Sequence, residues 1–359
     1  EIDYIYPAYD DIQLYLMLHK NEIEAEIISS ELKTTEICRS KEKTYKYFED
    51  CDFIPLTFLT INDIVNYPVF VKPDVGQASK DAYLVTNKLD MEFILSQHTK
   101  KMVICEYLPN EEFTVDCFTD NYGKILSLKI RNRKRVRNGI SVSSEILNLD
   151  DKIIEMAQVI NSRLNFKGAW FFQVKKDSNG EYKLLEIAPR IAGTMGLSRN
   201  LGINYPLLTL FLFENIDVKI IHNKFAINVD RALISRYQTD IDYKYVYIDF
   251  DDTINLRGKV NAFLMMFLYQ ALNNGKALIL LSRHDGDIYS DLRKINIDKT
   301  LFADIIIIPK GEKKSKYIKH TNSIFIDDSF SERYDVSNQC NIPVFDCSEV
   351  EALMDWTVF

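Results

Sequence analysis

The chain has little of what marks several common protein classes. Its 359 residues include six cysteines, Cys38, Cys51, Cys105, Cys117, Cys340 and Cys347. None forms a Cys-X-X-Cys pair or a ligand spacing with a histidine, so neither a disulfide framework nor a zinc site is indicated. Positive charge is not in excess. The formal net charge is −8, which removes any global electrostatic case for nucleic acid. The longest apolar runs, 207–213 and 305–309, fall far short of the roughly 20 residues a membrane span needs. No signal-peptide pattern is visible. The chain opens on Glu1 rather than methionine, so an upstream segment is expected. These features read as a reduced, cytoplasmic protein of two or three domains that contacts neither nucleic acid nor membrane.

What is present centres on residues 170–190. Trp170-Phe-Phe-Gln-Val-Lys-Lys and Lys183-Leu-Leu-Glu-Ile-Ala-Pro-Arg190 flank a turn containing Asn179-Gly180. Asn-Gly between apolar-rich runs predicts a hairpin. If those two residues form the loop, Gln173 and Glu186 face each other, with Cβ atoms about 5 Å apart. An amide oxygen and a carboxylate so placed can share Mg²⁺, with phosphate oxygens completing its shell, or form a plain surface pair. Arg190, past the strand end, would meet a phosphate.

The preceding residues supply further groups. Residues 2–7 read as a short strand and 11–20 as a helix; together they suggest a small α/β domain entered partway. Lys72 ends the strand 69–73, where a lysine can aim a mobile charge at a phosphate. Gly76, Ser79 and Lys80 follow as a glycine-poor lid. Glu106-Tyr-Leu108 ends a strand, and Glu112 begins the alternating run 112–120, with Phe113, Val115 and Cys117 on one face. A carboxylate here would accept hydrogen bonds from a ribose. Residues 131–137 carry five positive charges without interleaved aromatics, a poor nucleic-acid pattern.

In this order, the motifs resemble the ATP-grasp superfamily, in the branch shared by carbamoyl phosphate synthetase and biotin carboxylase. The resemblance covers about residues 41–235 and implies nucleotide held between two antiparallel α+β subdomains. By position, it implies Lys41 and Lys72 on nucleotide phosphates, with Ser79 in the lid. Glu106 and Leu108 would flank adenine and Glu112 would hold ribose. Gln173 and Glu186 would ligate Mg²⁺, Arg190 would meet the transferring phosphoryl group, and Arg131 and Arg135 would bind anionic substrate or phosphate. The family's usual asparagine two residues after the glutamate is Ala188 here, which cannot ligate a metal.

A polar stretch near 236–243 predicts a boundary. Beyond it, apolar runs at 245–250, 276–281, 303–309 and 323–326 alternate with helical patterns at 260–273, 288–294 and 313–320. This grammar predicts a parallel doubly wound sheet. Polar groups gather at its strand ends: Asp249 and Asp251, Ser282, and Asp327-Asp328, with Lys313, Lys314 and Lys316 shortly before. Asp249 and Asp251, two apart on an extended strand end, would aim to one side. One carboxylate can then attack phosphorus while the other exchanges a proton with the leaving oxygen.

This part resembles the haloacid dehalogenase superfamily over about residues 244–359. The resemblance implies Asp249 as nucleophile and Asp251 as general acid and base. Ser282 and Lys314 would hold phosphoryl oxygens, with the choice among the three lysines open. Mg²⁺ would be held by Asp249, the backbone carbonyl of Asp251, and Asp327, with Asp328 adjacent. No cap domain is visible.

The expected organisation is therefore an α/β and α+β multidomain chain. Residues 1–40 would be the remnant of a preceding α/β domain, 41–240 the ATP-grasp domain, and 241–359 a capless haloacid dehalogenase-like domain. The expected activity is ATP- and Mg²⁺-dependent joining of a small carboxylate to an amine. It would be fused to a phosphohydrolase acting on a phosphorylated small molecule or glycan intermediate, and a homodimer is left open. The alternatives are a phosphatase with a non-catalytic nucleotide-binding part, and a ligase with an inactive phosphatase-like part.

Overall fold

A computed structural model describes residues 2–77, 79–137 and 139–356. The chain divides into two compact units, Glu1–Ala232 and Leu233–Phe359.

The first unit begins with a parallel strand pair, Tyr4–Ile5 and Glu26–Ile27, and helices Asp10–Leu18 and Leu32–Arg39. Helix Lys41–Tyr47 follows, capped by Ser40, whose hydroxyl accepts the Lys43 amide. A four-stranded antiparallel sheet runs in the order Thr57–Phe58, Met102–Glu106, Val69–Pro73, Tyr83–Val85. Helix Lys88–Gln97 buries Met91 among Val69, Val71, Val85 and Ile104.

The larger sheet has seven strands. Six run in the order Tyr182–Ala188, Gly168–Lys176, Glu112–Thr119, Ile125–Asn132, Ile140–Leu147, Asn228–Asp230. The seventh, Arg135–Arg137, pairs with Ile140–Leu147. Period-two alternation sends Phe113, Val115, Cys117, Trp170, Phe172 and Val174 to one face, under helix Asp151–Arg163. That face is the core. The opposite face carries Thr114, Asp116, Gln173, Glu186 and Arg131. The hairpin departs from the expected two-residue loop: strand pairing stops at Lys176 opposite Tyr182. The Asp177 side chain holds the intervening loop by accepting the Asn179 and Glu181 amides. The edge strand is only three residues long, Asn228–Asp230, and no alternating pattern continues beyond it.

The second unit is an all-parallel five-stranded sheet. Its order is Asp304–Ile307, Ala277–Ser282, Tyr245–Ile248, Ser323–Ile326, Val344–Phe345. Helices Ala262–Asn273 and Ile288–Lys294 pack on the face made by Val246, Ile248, Leu278, Leu280, Ile324 and Ile326. Helix Phe330–Cys340 sends Val336 to the other face, against Tyr247, Ile279, Leu281 and Phe325. The sheet is thus doubly wound, and its strands are buried on both sides. The helix expected over 313–320 reduces to a single turn, Lys314–Tyr317. Lysines crowd this segment, and Lys314 is drawn inward to two carboxylates. A hairpin that the sequence reading missed, Asn255–Leu256 with Lys259–Val260, turns on Arg257-Gly258, both at positive φ (53° and 83°).

Candidate active sites

In the first unit, Gln173 pairs directly with Glu186. The reason differs from the expected one. Lys175 opposes Lys183 and Val174 opposes Leu184; then a bulge shifts the register by one, leaving Leu185 unpaired. The longer loop and the bulge cancel, and the predicted pairing is restored. The bulge also frees the Leu185 carbonyl, which accepts a 2.9 Å hydrogen bond from Tyr45 Oη. Tyr45 Oη in turn accepts one from Lys72 Nζ at 2.8 Å. Lys72 is buried by this network, which fixes its ammonium relative to the hairpin.

A cleft gathers Lys41, Lys72, Ser79, Glu106, Leu108, Glu112, Gln173 and Glu186. These are eight of the residues expected around a nucleotide. Lys41 is pinned from below. Asp74 accepts hydrogen bonds from Ser40 Oγ and from the Glu42 amide, and the Lys41 amide donates to the Asp74 carbonyl. Burial lowers the Lys41 ammonium below its usual range; Glu186 opposes this, while Lys72 and Arg39 add to it. The Lys72 ammonium is raised although burial acts the other way. Burial pushes Tyr45 up to about 12, so it stays a neutral hydroxyl at physiological pH. Glu106 lends one oxygen to the Leu56 amide at 2.9 Å.

The arginines are already engaged by carboxylates of the chain itself. Arg131 lies fully inside, with Nε 2.8 Å and Nη2 3.1 Å from the two oxygens of Asp116, and Nη1 on Thr194. Its bidentate partner is therefore part of the protein. Burial raises the Asp116 carboxyl, against the pull of Arg131. Arg135 is exposed, pairs with Asp230 and does not line the cleft, because its short strand sits at the sheet margin. Arg133, which was not singled out, lines the cleft instead, with Nε 3.0 Å from Glu112. Arg190 and Arg131 line a second cavity that shares Arg133, Gln173 and Glu186 with the cleft. Both sides of its fork are closed on Asp10 at 2.6 Å. Ala188 is buried and lines a small pocket beside Glu186, Asp10 and Gln13. Tyr45, Asp74 and Ser40 were also missed, because the contacts that tie them to Lys72, Leu185 and Lys41 join separate segments of the chain.

In the second unit, Lys314 Nζ lies 2.6 Å from Asp249 Oδ1 and 2.6 Å from Asp327 Oδ2. Lys313 pairs with Asp335 and Lys316 with Glu312, so Lys314 is the lysine among the three that reaches the strand ends. Asp249, Asp327 and Asp328 each bring a carboxylate oxygen within 4.8 Å of the others. Burial, with Asp249 alongside, pushes Asp327 up to about 6 despite Lys314. Burial likewise raises Asp249, against the hydrogen bonds from Lys314 and Ser282. Ser282 is buried at the neighbouring strand end. Thr253 ties the turn after Asp251 to the fourth strand by accepting the Asp328 amide at 3.1 Å. Asp251 is not in the carboxylate group. Its Oδ2 lies 2.8 Å from His284 Nδ1. The strand ends at Ile248 and Asp252 has positive φ, so Asp249 and Asp251 stand in a turn rather than on an extended strand.

The first unit has the ATP-grasp fold. A family model described as "ATP-grasp in the biosynthetic pathway with Ter operon" matches residues 98–232. The fold is similar to biotin carboxylase from Campylobacter jejuni in complex with β,γ-ATP (TM-score 0.54, 18% identity, 62% of this chain and 57% of that one). It is similar to N5-carboxyaminoimidazole synthetase from Staphylococcus aureus with ADP (TM-score 0.51, 18% identity, 61% and 62%). The biotin carboxylase domain of Hydrogenobacter thermophilus 2-oxoglutarate carboxylase, solved with MgADP and bicarbonate, is also similar (TM-score 0.52, 13% identity, 62% and 56%). The chain thus spans less than two thirds of each of these proteins. No curated protein sequence matches it. Among the described residues, no helix is long and apolar enough to cross a membrane.

Proposed function

We propose that the first unit is an ADP-forming carboxylate–amine ligase using MgATP. The observation that carries this reading is the Gln173–Glu186 pair in one cleft with Lys41 and Lys72. Two hard oxygen donors beside two ammonium groups suit a magnesium-bound polyphosphate. Gln173 and Glu186 would hold the ion, which neutralises charge on the phosphate oxygens. Lys41 and Lys72 bind the phosphates, while Glu106, Leu108 and Glu112 line the nucleoside end. The adjoining cavity, with Arg133 and Arg190, receives the acid. A carboxylate oxygen attacks the γ-phosphorus and the bond to the ADP oxygen breaks. The amine then attacks the acyl carbon, loses a proton and displaces phosphate. An ADP-release screen of acid and amine libraries tests this. Turnover that needs both substrates and disappears in Glu186→Ala supports it; no ATP turnover with any pair refutes it.

The second unit we read as a capless phosphohydrolase of the haloacid dehalogenase type, acting on a phosphorylated small molecule or glycan intermediate. Its support is Lys314 bridging Asp249 and Asp327 at the ends of adjacent parallel strands, where such sheets bind ligands. The buried carboxylates of Asp249 and Asp327, with Asp328, suit a divalent cation, which lowers the repulsion an attacking carboxylate meets at a phosphate. Asp249 attacks phosphorus, and Asp251 protonates the leaving oxygen and later accepts a proton from water. Phosphate release from a simple ester, lost in Asp249→Asn, tests it. Ala188 and the closed Arg190–Asp10 pair favour one further reading, in which the first unit binds nucleotide without turning it over. Tight MgATP binding without ADP release in the same screen would select that reading.

A further inference from the structure

We propose that His284 is a positioning residue for Asp251, braced by Asp291. The inference rests on the phosphohydrolase reading of the second unit. His284 stands two residues after Ser282, and its side chain is only 6% exposed. Both ring nitrogens are engaged: Nδ1 lies 2.8 Å from Asp251 Oδ2, and Nε2 lies 2.9 Å from Asp291 Oδ2. The two acids come from separate elements, the loop after Tyr245–Ile248 and helix Ile288–Lys294. Lys294 closes the far end, donating to Asp291 Oδ1 at 2.6 Å. The Phe250 ring stands edge-on to the imidazole at 88° and 5.2 Å, so the ring plane is set from the side as well.

Asp251 needs such a brace. Its side chain is 48% exposed, and a free aspartate there would populate several rotamers. His284 fixes Oδ2, while Oδ1 carries no hydrogen bond among the described residues. One carboxyl oxygen is thus immobilised and the other is left for a leaving oxygen. In the first step a carboxylate oxygen of Asp249 bonds to phosphorus. The bond from phosphorus to the ester oxygen breaks with its electron pair on that oxygen, and the Asp251 proton moves to it. An aspartyl phosphate and a neutral alcohol result. A good leaving group needs that proton less, so a misplaced Asp251 harms poor leaving groups selectively.

The test is the pre-steady-state burst of phenol from phenyl phosphate and of p-nitrophenol from p-nitrophenyl phosphate, with the full chain and Mg²⁺. His284→Ala is expected to slow the phenyl phosphate burst about tenfold or more, a part of the 10²–10⁴-fold that general acid catalysis contributes, and the p-nitrophenyl phosphate burst less than about threefold. His284→Asn, whose amide nitrogen takes the place of Nδ1, restores part of the loss. Asp291→Asn, which keeps the helix, gives a smaller shift with the same selectivity. In an Asp251→Asn background, His284→Ala adds nothing further. Equal losses on both esters, or none, would overturn the inference while Asp249-dependent turnover leaves the phosphohydrolase reading standing. A wild-type chain without Asp249-dependent turnover of either ester would overturn both.

Discussion

Gln173 and Glu186 stand opposite each other because Leu185, between them and the hairpin tip, has no partner across the strand. The freed Leu185 carbonyl is held by Tyr45, and Tyr45 holds Lys72. Tyr45→Phe removes both bonds while keeping the ring. It is expected to cost about 1–3 kcal/mol of stability in urea unfolding, since a buried ammonium loses an acceptor. It should also weaken MgATP binding severalfold by calorimetry. Unchanged binding would separate the bulge from the phosphate site.

Arg131 and Asp116 make a buried pair, so Arg131 acts in the fold before it can act on any substrate. Arg131→Met leaves the buried Asp116 carboxyl without its partner, and is expected to cost about 3–5 kcal/mol. Combining it with Asp116→Leu should recover most of that loss. Denaturant titration of the two variants checks this; equal instability of both would refute it.

Arg133 lines the cleft, whereas Arg135, to which the resemblance gave an anion, does not. Arg133→Ala is expected to weaken nucleotide binding about tenfold, since it lines the cleft and steadies Glu112. Arg135→Ala should change it by less than about twofold, because Arg135 is exposed and pairs with Asp230. Calorimetric titration with MgATP distinguishes the two.

In the second unit, Asp327 is pushed up from 3.8 to about 6. The folded unit therefore keeps a proton that the unfolded chain loses near pH 4. This group favours folding most below about pH 4, and that advantage is gone once pH passes about 6. A divalent cation takes the ionised form. Magnesium is thus expected to raise the melting temperature more at pH 7.5 than at pH 5, and Asp327→Asn should flatten the difference. Equal shifts at both pH values in the wild type would refute this.

Much of this was legible, for reasons that differ by residue. Strand-end placement of Asp249, Ser282 and Asp327 follows from apolar runs of fixed polarity, and a parallel sheet makes those ends converge. Gln173 and Glu186 were paired by counting from Asn179-Gly180. The count succeeded because two deviations, a longer loop and a bulge, cancel. Arg135 misled because a run of basic residues does not say which members find acids across a strand; Asp116 and Asp230 are distant in sequence. His284 went unnoticed because a single histidine has no pattern, and its partners come from two other elements. The Arg257-Gly258 turn carried a signal, glycine at the second position, too brief to stand out between a strand and a helix.

The Asp10–Arg190 contact sets a rule for whatever visits that corner. The guanidinium already holds a carboxylate in a two-point grip, and Asp10, being tethered, stays close even when displaced. An arriving anion must therefore compete for a cation that is already neutralised, and the outline of the visitor counts for more than its charge.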